Sequence, residues 1–173
     1  SIHEDLEESD DNIAITRKVF RANIQAIEDS LSVLNSSEMQ KAISALCQAK
    51  RILFLGVGGS GVVAKDAEHK FLKTGIPSTA YSDIFMQTMS ASLTGPGDVV
   101  IGISHTGSTK VIVEAMELAK QAGATTICIT QSIKSPITKA SDIKLFVVAR
   151  EIEYRSEATG SRIAQLCLVD SLY

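Results

Sequence analysis

The sequence lacks any long block of like charge. Its 17 Lys and Arg residues against 20 Asp and Glu residues leave a net charge of −3, and the pI is about 5.6. The acidic cluster in residues 4–11 is expected to be a solvated end of the chain. Because proteins hold DNA and RNA through many basic contacts to phosphate, this segment alone is not expected to bind nucleic acid.

Cysteine is also scarce, and no C-x-x-C or Cys/His ligand spacing is present. An odd number of widely spaced cysteines is typical of free thiols in a reducing compartment. Cys47, Cys128 and Cys167 are therefore predicted to be buried free thiols. We expect no metal site and no cofactor.

A secretory signal peptide, a membrane-spanning apolar stretch and low-complexity tracts are missing as well. The composition, 45% hydrophobic and 21% charged, is typical of a single soluble globular domain. We expect a cytoplasmic protein with no membrane partner. The sequence begins without Met and stops at Tyr173 inside a helical pattern, which suggests a fragment of a longer protein.

Two helices are predicted before residue 50. Apolar side chains recur at spacings of four and three along the first, at Phe20, Ile24, Ile27, Leu31 and Leu34. This period predicts one amphipathic helix from about residue 12 to residue 34. The Ser-Glu-Met-Gln run at 37–40 fits a capping box and predicts a second helix that ends near Ala49.

From residue 51 onward, apolar runs alternate with helical patterns. The predicted strands are 51–57, 78–82, 98–103, 125–130 and 143–149. The predicted helices are about 61–73, 83–92, 111–122 and 136–140, with a last one from about 161. This alternation predicts an α/β fold, a three-layer, doubly wound, flavodoxin-like sheet of five parallel strands. Residues 1–35 form a linker and long N-terminal helix, and residues 36–173 form the α/β domain.

The most informative stretch is Ser104-His105-Thr106-Gly107-Ser108-Thr109, here called the hydroxyl loop, between a predicted strand and a predicted helix. Backbone N–H groups in the first turn of a helix have no partner within the helix, and the macrodipole adds positive charge there. Ser and Thr hydroxyls add donors without bulk, and Gly107 lets the backbone approach closely. The loop is therefore predicted to bind phosphate, with the backbone of His105 mattering more than its ring.

A second turn, Gly56-Val57-Gly58-Gly59-Ser60-Gly61, here called the glycine loop, follows the first predicted strand and satisfies G-x-G-x-x-G. Asp83 ends the next strand, where dinucleotide-binding folds place an acid for the ribose. An NAD(P) oxidoreductase is therefore one alternative. Against it, Ser60 puts a hydroxyl at the pyrophosphate position, and a second anion loop has no role in simple dinucleotide binding. Asp83 also suits a helix N-cap.

The two loops together resemble the signature loops of SIS domains, the sugar isomerase domains that bind phosphosugars. The resemblance runs from about residue 36 to residue 172 and includes the Gly-Asp-Val-Val-Ile-Gly-Ile-Ser run at 97–104. It implies that Gly59 and Ser60 lie beside the sugar. It also implies that the S-x-[ST]-G-x-T loop wraps the phosphate with Ser104, His105, Thr106, Gly107, Ser108 and Thr109.

The long first helix and the last segment, residues 161–173, resemble the effector domain of RpiR-type transcriptional regulators. Those regulators carry a helix-turn-helix domain ahead of an SIS domain, and no helix-turn-helix pattern is visible here. The resemblance implies a homodimeric sensor of a sugar phosphate. Such a sensor would reach DNA only through an N-terminal domain that this sequence does not contain.

A phosphosugar isomerase is the remaining alternative. Moving a proton between neighbouring carbons needs a base, and the candidates are Glu68, His69, His105, Glu153 and Glu157. Glu157 follows the fifth predicted strand, on the ligand side of the sheet. By resemblance it sends a carboxylate to the sugar, either to accept hydrogen bonds or to act as the base. Binding without chemistry is the preferred interpretation.

Overall fold

A computed structural model describes residues 6–150 and 159–173 of the chain. Five parallel strands form one sheet in the order β2-β1-β3-β4-β5. The strands are β1 (Arg51–Leu55), β2 (Ser78–Tyr81), β3 (Asp98–Ile103), β4 (Thr125–Thr130) and β5 (Ile143–Phe146). The helices are α1 (Asn12–Ser32), α2 (Ser36–Cys47), α3 (Gly58–Phe71), α4 (Ile84–Ser92), α5 (Lys110–Gln121), α6 (Pro136–Lys139) and α7 (Thr159–Leu172). The predicted α/β fold is confirmed.

The sheet is buried on both faces, and its central strands β1 and β3 are mostly apolar. Every residue of β3 is buried. Side chains alternate between the two faces of a strand, so Ile52 and Phe54 of β1 enter one core cluster and Leu53 and Leu55 enter the other. Helices α2, α3 and α7 cover the first face, and α4, α5 and α6 cover the second.

Most predicted boundaries agree with the structure to within three residues, and β3 and β4 match their predicted ranges. The capping box predicted at Ser37 is wrong. The N-cap of α2 is Asn35, whose side chain accepts a hydrogen bond from Glu38 N at 3.0 Å. Helix α3 begins at Gly58, earlier than predicted, which places Gly59 and Ser60 in its first turn.

Helix α1 packs against α7. Ala26 and Ser30 are its buried residues. Ser30 Oγ donates to the carbonyl oxygen of Val148 at 3.0 Å and accepts from Val148 N at 2.9 Å. The predicted amphipathic helix is confirmed, but its large apolar side chains are mostly exposed. No helix in the described ranges is long and apolar enough to span a bilayer.

The prediction for the cysteines is correct at one position and wrong at two. Cys128 is buried in β4, and its burial raises the pKa of the thiol above its ordinary value. Cys47 and Cys167 are exposed, because they lie at positions of α2 and α7 that face away from the core. All three are free thiols.

Candidate phosphate site

Both loops follow central strands at the point where the strand order reverses. Strands β1 and β3 are neighbours, with β2 on one side of the pair and β4 on the other. In open parallel sheets, ligands bind outside the carboxyl ends of the strands at such a switch point. The glycine loop follows β1 and the hydroxyl loop follows β3, so the topology brings the two loops together.

Helices α3 and α5, which begin at these loops, lack the side-chain N-cap that α1, α2 and α4 have. Asp11, Asn35 and Asp83 cap α1, α2 and α4, each accepting a hydrogen bond from a first-turn N–H group. The N-cap residues of α3 and α5, Val57 and Thr109, make no capping hydrogen bond. First-turn N–H groups have no partner within their helix, and the macrodipole adds positive charge there. Together the two helix ends favour an anion.

Contacts within the hydroxyl loop order its hydroxyl groups. Ser104 is only 2% exposed. Its Oγ accepts a hydrogen bond from Gly107 N at 3.1 Å and lies 3.0 Å from Thr109 Oγ1. Thr106 Oγ1 accepts from Ser108 N at 3.1 Å. Since Thr106 and Ser108 are exposed and Thr109 is half-buried, a ligand can reach the rim of the loop while Ser104 supports its base.

Strand β4 and helix α6 hold the loop from behind. The carbonyl oxygen of His105 accepts hydrogen bonds from Gln131 N at 3.1 Å and from Thr130 Oγ1 at 3.3 Å. The carbonyl oxygen of Gly107 accepts from Ile137 N, at the start of α6, at 3.0 Å. These bonds fix the loop before a ligand arrives, so binding costs little ordering entropy.

Glycine is required at position 107 both by the backbone angle and by the neighbouring side chains. Its φ is +70°, in the left-handed region that disfavours a side chain. A Cβ at this position would overlap the side chain of Ser135 and would lie 3.0 Å from Thr130 Oγ1. The hydroxyl loop therefore turns at Gly107 in contact with two other elements of the domain.

The imidazole ring of His105 reaches α7. Its Nδ1 lies 2.7 Å from Ser161 Oγ, which also accepts a hydrogen bond from Gln165 Nε2 at 3.4 Å. Ser161 and Gln165 are both buried. The ring as well as the backbone of His105 is therefore engaged, whereas the sequence indicated chiefly the backbone.

The glycine loop is tightly turned. A Cβ on Gly56 would lie 2.5 Å from the carbonyl oxygen of Ser60, so the turn from β1 into α3 needs glycine there. Gln87, fully buried on α4, donates from Nε2 to the carbonyl oxygen of Gly56 at 3.1 Å. Gly59 and Ser60 are half-buried in the first turn of α3.

The structure places both predicted groups, Gly59 with Ser60 and the whole hydroxyl loop, at the carboxyl ends of the strands. Glu157 and Glu153 lie outside the described residues. In residues 6–150 and 159–173, His, Cys, Asp and Glu side chains do not gather in groups of three or more that could hold a metal ion.

Three other acidic or basic candidates have different surroundings. Asp83 Oδ1 accepts from Met86 N at 2.9 Å, which confirms the helix-capping interpretation. Glu68 Oε2 accepts from Ala80 N at 2.5 Å, and its Oε1 lies 3.0 Å from Lys65 Nζ. Because Ala80 belongs to the edge strand β2, Glu68 satisfies an N–H group at the edge of the sheet. His69 is exposed on α3.

Glu68 should make stability depend on pH. Burial disfavours its charge, but the Ala80 N–H group and Lys65 outweigh burial, so the pKa of the carboxyl lies below its ordinary value of 4.5. A pKa lowered by folding stabilises the fold above the unfolded-state pKa, and this contribution is lost as the pH falls through the folded-state pKa. Glu68→Gln should therefore cost about 1 kcal/mol at pH 7, and the difference from wild type should shrink below pH 4.5.

Urea unfolding at pH 7 and pH 3.5 measures this difference. Glu114→Gln is the matched control, because Glu114 is half exposed and lies 3.9 Å from Lys110 Nζ across one helical turn. Exposed pairs of this kind contribute little. Equal losses for the two variants at pH 7 would contradict the role assigned to Glu68.

Sequence reasoning missed the residues that support the two loops. These are Gln87, Thr130, Gln131, Ser135, Ser161 and Gln165. One signal was present, because the polar run Thr130-Gln131-Ser132 ends β4 at the same edge of the sheet as the hydroxyl loop. The Gln131 side-chain oxygen is buried and has no hydrogen-bond partner among the described residues.

Several known proteins are similar to this chain in sequence. An uncharacterized HTH-type transcriptional regulator of Caldanaerobacter subterraneus subsp. tengcongensis is 49% identical over 164 residues, which cover 95% of this chain and 58% of the regulator. The HTH-type transcriptional regulator RpiR of Escherichia coli K12 is 38% identical over 159 residues, covering 92% and 54%. This chain thus spans a little over half the length of these relatives.

A solved structure with the same fold is that of the Vibrio vulnificus NanR protein complexed with ManNAc-6P. Its TM-score is 0.87 at 24% identity, over 95% of this chain and 61% of the NanR chain. Residues 45–173 of the present chain match the SIS domain family. The chain therefore belongs to the SIS domain family, and it is similar to part of the RpiR-type transcriptional regulators.

Proposed function

We propose that this chain is the effector-binding domain of a transcriptional regulator that senses a sugar phosphate. One observation carries the proposal: two helix N-termini without side-chain caps lie side by side at the switch point, and one of them opens from a loop rich in hydroxyl groups. Such an arrangement supplies donors and positive potential, which suits reversible binding of a phosphate ester.

The phosphate would bind against the hydroxyl loop. The first-turn N–H groups of α5 and the hydroxyls of Thr106, Ser108 and Thr109 are the donors, and buried Ser104 holds the loop in shape. Hydrogen bonds to a charged group each contribute about 1.5–3 kcal/mol. A few such bonds account for selective binding of the phosphorylated sugar over the free sugar.

The sugar would extend from the phosphate toward the glycine loop, because the two loops follow neighbouring strands. Gly59 and Ser60 would line this side of the ligand. In the proposal, the carboxylate of Glu157 accepts hydrogen bonds from sugar hydroxyls and does not act as a base.

The regulatory part of the proposal rests on the relatives. Because this chain spans little more than half of the HTH-type regulators that it matches, DNA binding is assigned to a helix-turn-helix domain elsewhere in a longer cytoplasmic protein. The SIS domain would form a homodimer, and the ligand would shift the geometry of the pair. A coupling free energy of about 1–3 kcal/mol is enough for such control.

A thermal-shift screen tests the proposal. The panel holds ManNAc-6P, hexose 6-phosphates and pentose 5-phosphates, each beside its unphosphorylated sugar, together with inorganic phosphate, NAD and NADP. A sugar phosphate present at 100 times its Kd should stabilise the domain by about 2.7 kcal/mol, which raises the Tm by roughly 5–10 °C for a domain of this size. The free sugars should give no shift.

Two results would overturn the sensor assignment. Stabilisation by NAD or NADP with no response to any sugar phosphate would favour the dinucleotide alternative. Conversion of a bound ketose or aldose phosphate, followed by NMR over hours and abolished by Glu157→Gln, would make the domain an isomerase. Tight binding of a ligand that stays chemically unchanged supports the sensor.

A further inference from the structure

Helix α1 presents an apolar stripe to solvent. Phe20 and Leu31 are each 66% exposed, although both are large apolar side chains. Burying such side chains is favourable, so a stripe of this length marks a contact surface. The exposed apolar residues of the stripe are Ile13, Phe20, Ile24, Ile27 and Leu31 on the helix, with Leu34 just beyond its end.

The spacing of the stripe is that of a coiled coil. From Phe20 to Leu34 the steps alternate between four and three residues, and Ile13 lies seven residues before Phe20. In heptad terms, Ile24 and Leu31 occupy a positions, and Phe20 and Ile27 occupy d positions. A strict heptad stripe fits another helix of the same kind. A different side of α1, with Ala26 and Ser30, is already packed in the domain.

Charge decides the direction in which two copies of α1 fit together. In a parallel pair each a position meets its own copy, so Arg17, also at an a position, would face Arg17 of the second copy. In an antiparallel pair a positions meet d positions. Ile24 then lies opposite Ile27 of the partner subunit, and Phe20 opposite the partner's Leu31.

The same antiparallel alignment brings opposite charges together at its edge. Arg21 and Glu28 both occupy e positions, beside the apolar stripe. With Ile24 opposite the partner's Ile27, Arg21 of each copy lies within one helical turn of Glu28 of the partner subunit, twice by symmetry. Shifting the alignment by one heptad brings Arg21 close to the partner's Arg21 instead. The heptad spacing and the charges thus select one alignment.

We propose that α1 pairs antiparallel with α1 of a second copy of this chain, centred between Ile24 and Ile27. This surface deepens the homodimer of the proposed function, but it depends only on α1 and not on any ligand. Its failure in a solution experiment is therefore distinct from failure of the sugar-phosphate assignment, which the thermal-shift screen tests.

A second exposed apolar surface, on α4, provides the matched control. Phe85 is 79% exposed, and Met89 and Leu93 border a groove of about 290 Å³ beside the edge strand β2. Helix α4 has only nine residues, too few for a sustained heptad stripe, and nothing in the described residues indicates what covers its exposed apolar side chains. A charge at Phe85 therefore controls for the general effect of placing a charge on an exposed apolar patch.

Sedimentation velocity across a concentration series tests the pairing. The wild-type chain should be a dimer at micromolar concentration, and Ile24→Glu should raise the dimer dissociation constant at least about 30-fold, as expected for a central anchor residue. Phe85→Glu should leave it unchanged. A monomeric wild-type chain, or a dimer that Phe85→Glu breaks and Ile24→Glu does not, would overturn the proposal.

A charge exchange tests the direction without placing a charge in the stripe. Arg21→Glu alone should weaken the dimer, because it faces Glu28 of the partner subunit, and adding Glu28→Arg should restore it. In a parallel pair e positions face g positions, where α1 carries Thr16 and Asn23. Failure of the second change to restore the dimer would therefore contradict the antiparallel alignment.

Disulfide trapping gives an independent readout. In a Cys47→Ser, Cys167→Ser background, which removes the exposed thiols, chains carrying Ile24→Cys are mixed with chains carrying Ile27→Cys and oxidised. The antiparallel pair predicts mixed disulfides in excess over either homodisulfide. An excess of the Ile24→Cys homodisulfide would show a parallel pair instead.

Discussion

Replacing Gly107 by alanine should destabilise the domain by about 2–5 kcal/mol, since a left-handed φ costs roughly 1–2 kcal/mol for a residue with a Cβ and steric overlap adds about 1–3 kcal/mol. The φ of +70° supplies the first cost and the Ser135 side chain the second. For a domain of this size the Tm should fall by roughly 4–20 °C. Denaturant unfolding followed by circular dichroism measures the loss.

Gly75→Ala is the control that separates the two costs. Gly75 has a similar φ of +81°, but a Cβ there would meet no atom within 4 Å. It should therefore show the conformational cost alone, about 1–2 kcal/mol. If Gly107→Ala were no more destabilising than Gly75→Ala, Ser135 would move aside easily and the hydroxyl loop would not be held rigidly.

Much of the fold follows from local patterns in the sequence. Strands β3 and β4 match their predicted ranges because each has an apolar centre, Val99-Val100-Ile101 or Ile127-Cys128-Ile129, and is followed directly by a polar residue. The hydroxyl loop was also recognisable, because its chemistry lies within six consecutive residues. The cap of α2 was missed because Asn35 and Ser37 both have capping side chains, and only the backbone geometry distinguishes them.

The residues that support the hydroxyl loop could not be predicted in the same way. Ser135 and Thr130 border Gly107, and Ser161 contacts His105, only because α6, β4 and α7 meet behind the hydroxyl loop. No local pattern gives these long-range contacts. The stripe on α1 shows a related limit. Its period predicts a helix with an apolar side, but not whether that side packs in the domain or faces a partner.

The second large effect is expected at Thr109. Thr109→Val keeps the β-branched shape but removes the hydroxyl, which lies 3.0 Å from Ser104 Oγ at the N-terminus of α5. Loss of one charge-assisted hydrogen bond to phosphate costs about 1.5–3 kcal/mol, so binding of a sugar phosphate should weaken roughly 10- to 150-fold. Unfolding stability should fall by only about 0.5–1.5 kcal/mol, the contribution of the lost hydrogen bond to Ser104.

Ser104→Ala should give the opposite result, with a larger loss of unfolding stability and a smaller loss of ligand affinity. It removes the acceptor for Gly107 N in a buried position, which leaves an unpaired N–H group and costs about 1–3 kcal/mol of stability. Calorimetric titration of both variants with the best ligand of the thermal-shift screen, beside its unphosphorylated sugar, tests the contrast. Thr88→Val on α4 is the control, because its hydroxyl contacts only the carbonyl oxygens of its own helix in the described residues. Thr109 at the rim would then contact the ligand and Ser104 at the base would hold the loop, an assignment that fails if Thr109→Val leaves the affinity unchanged.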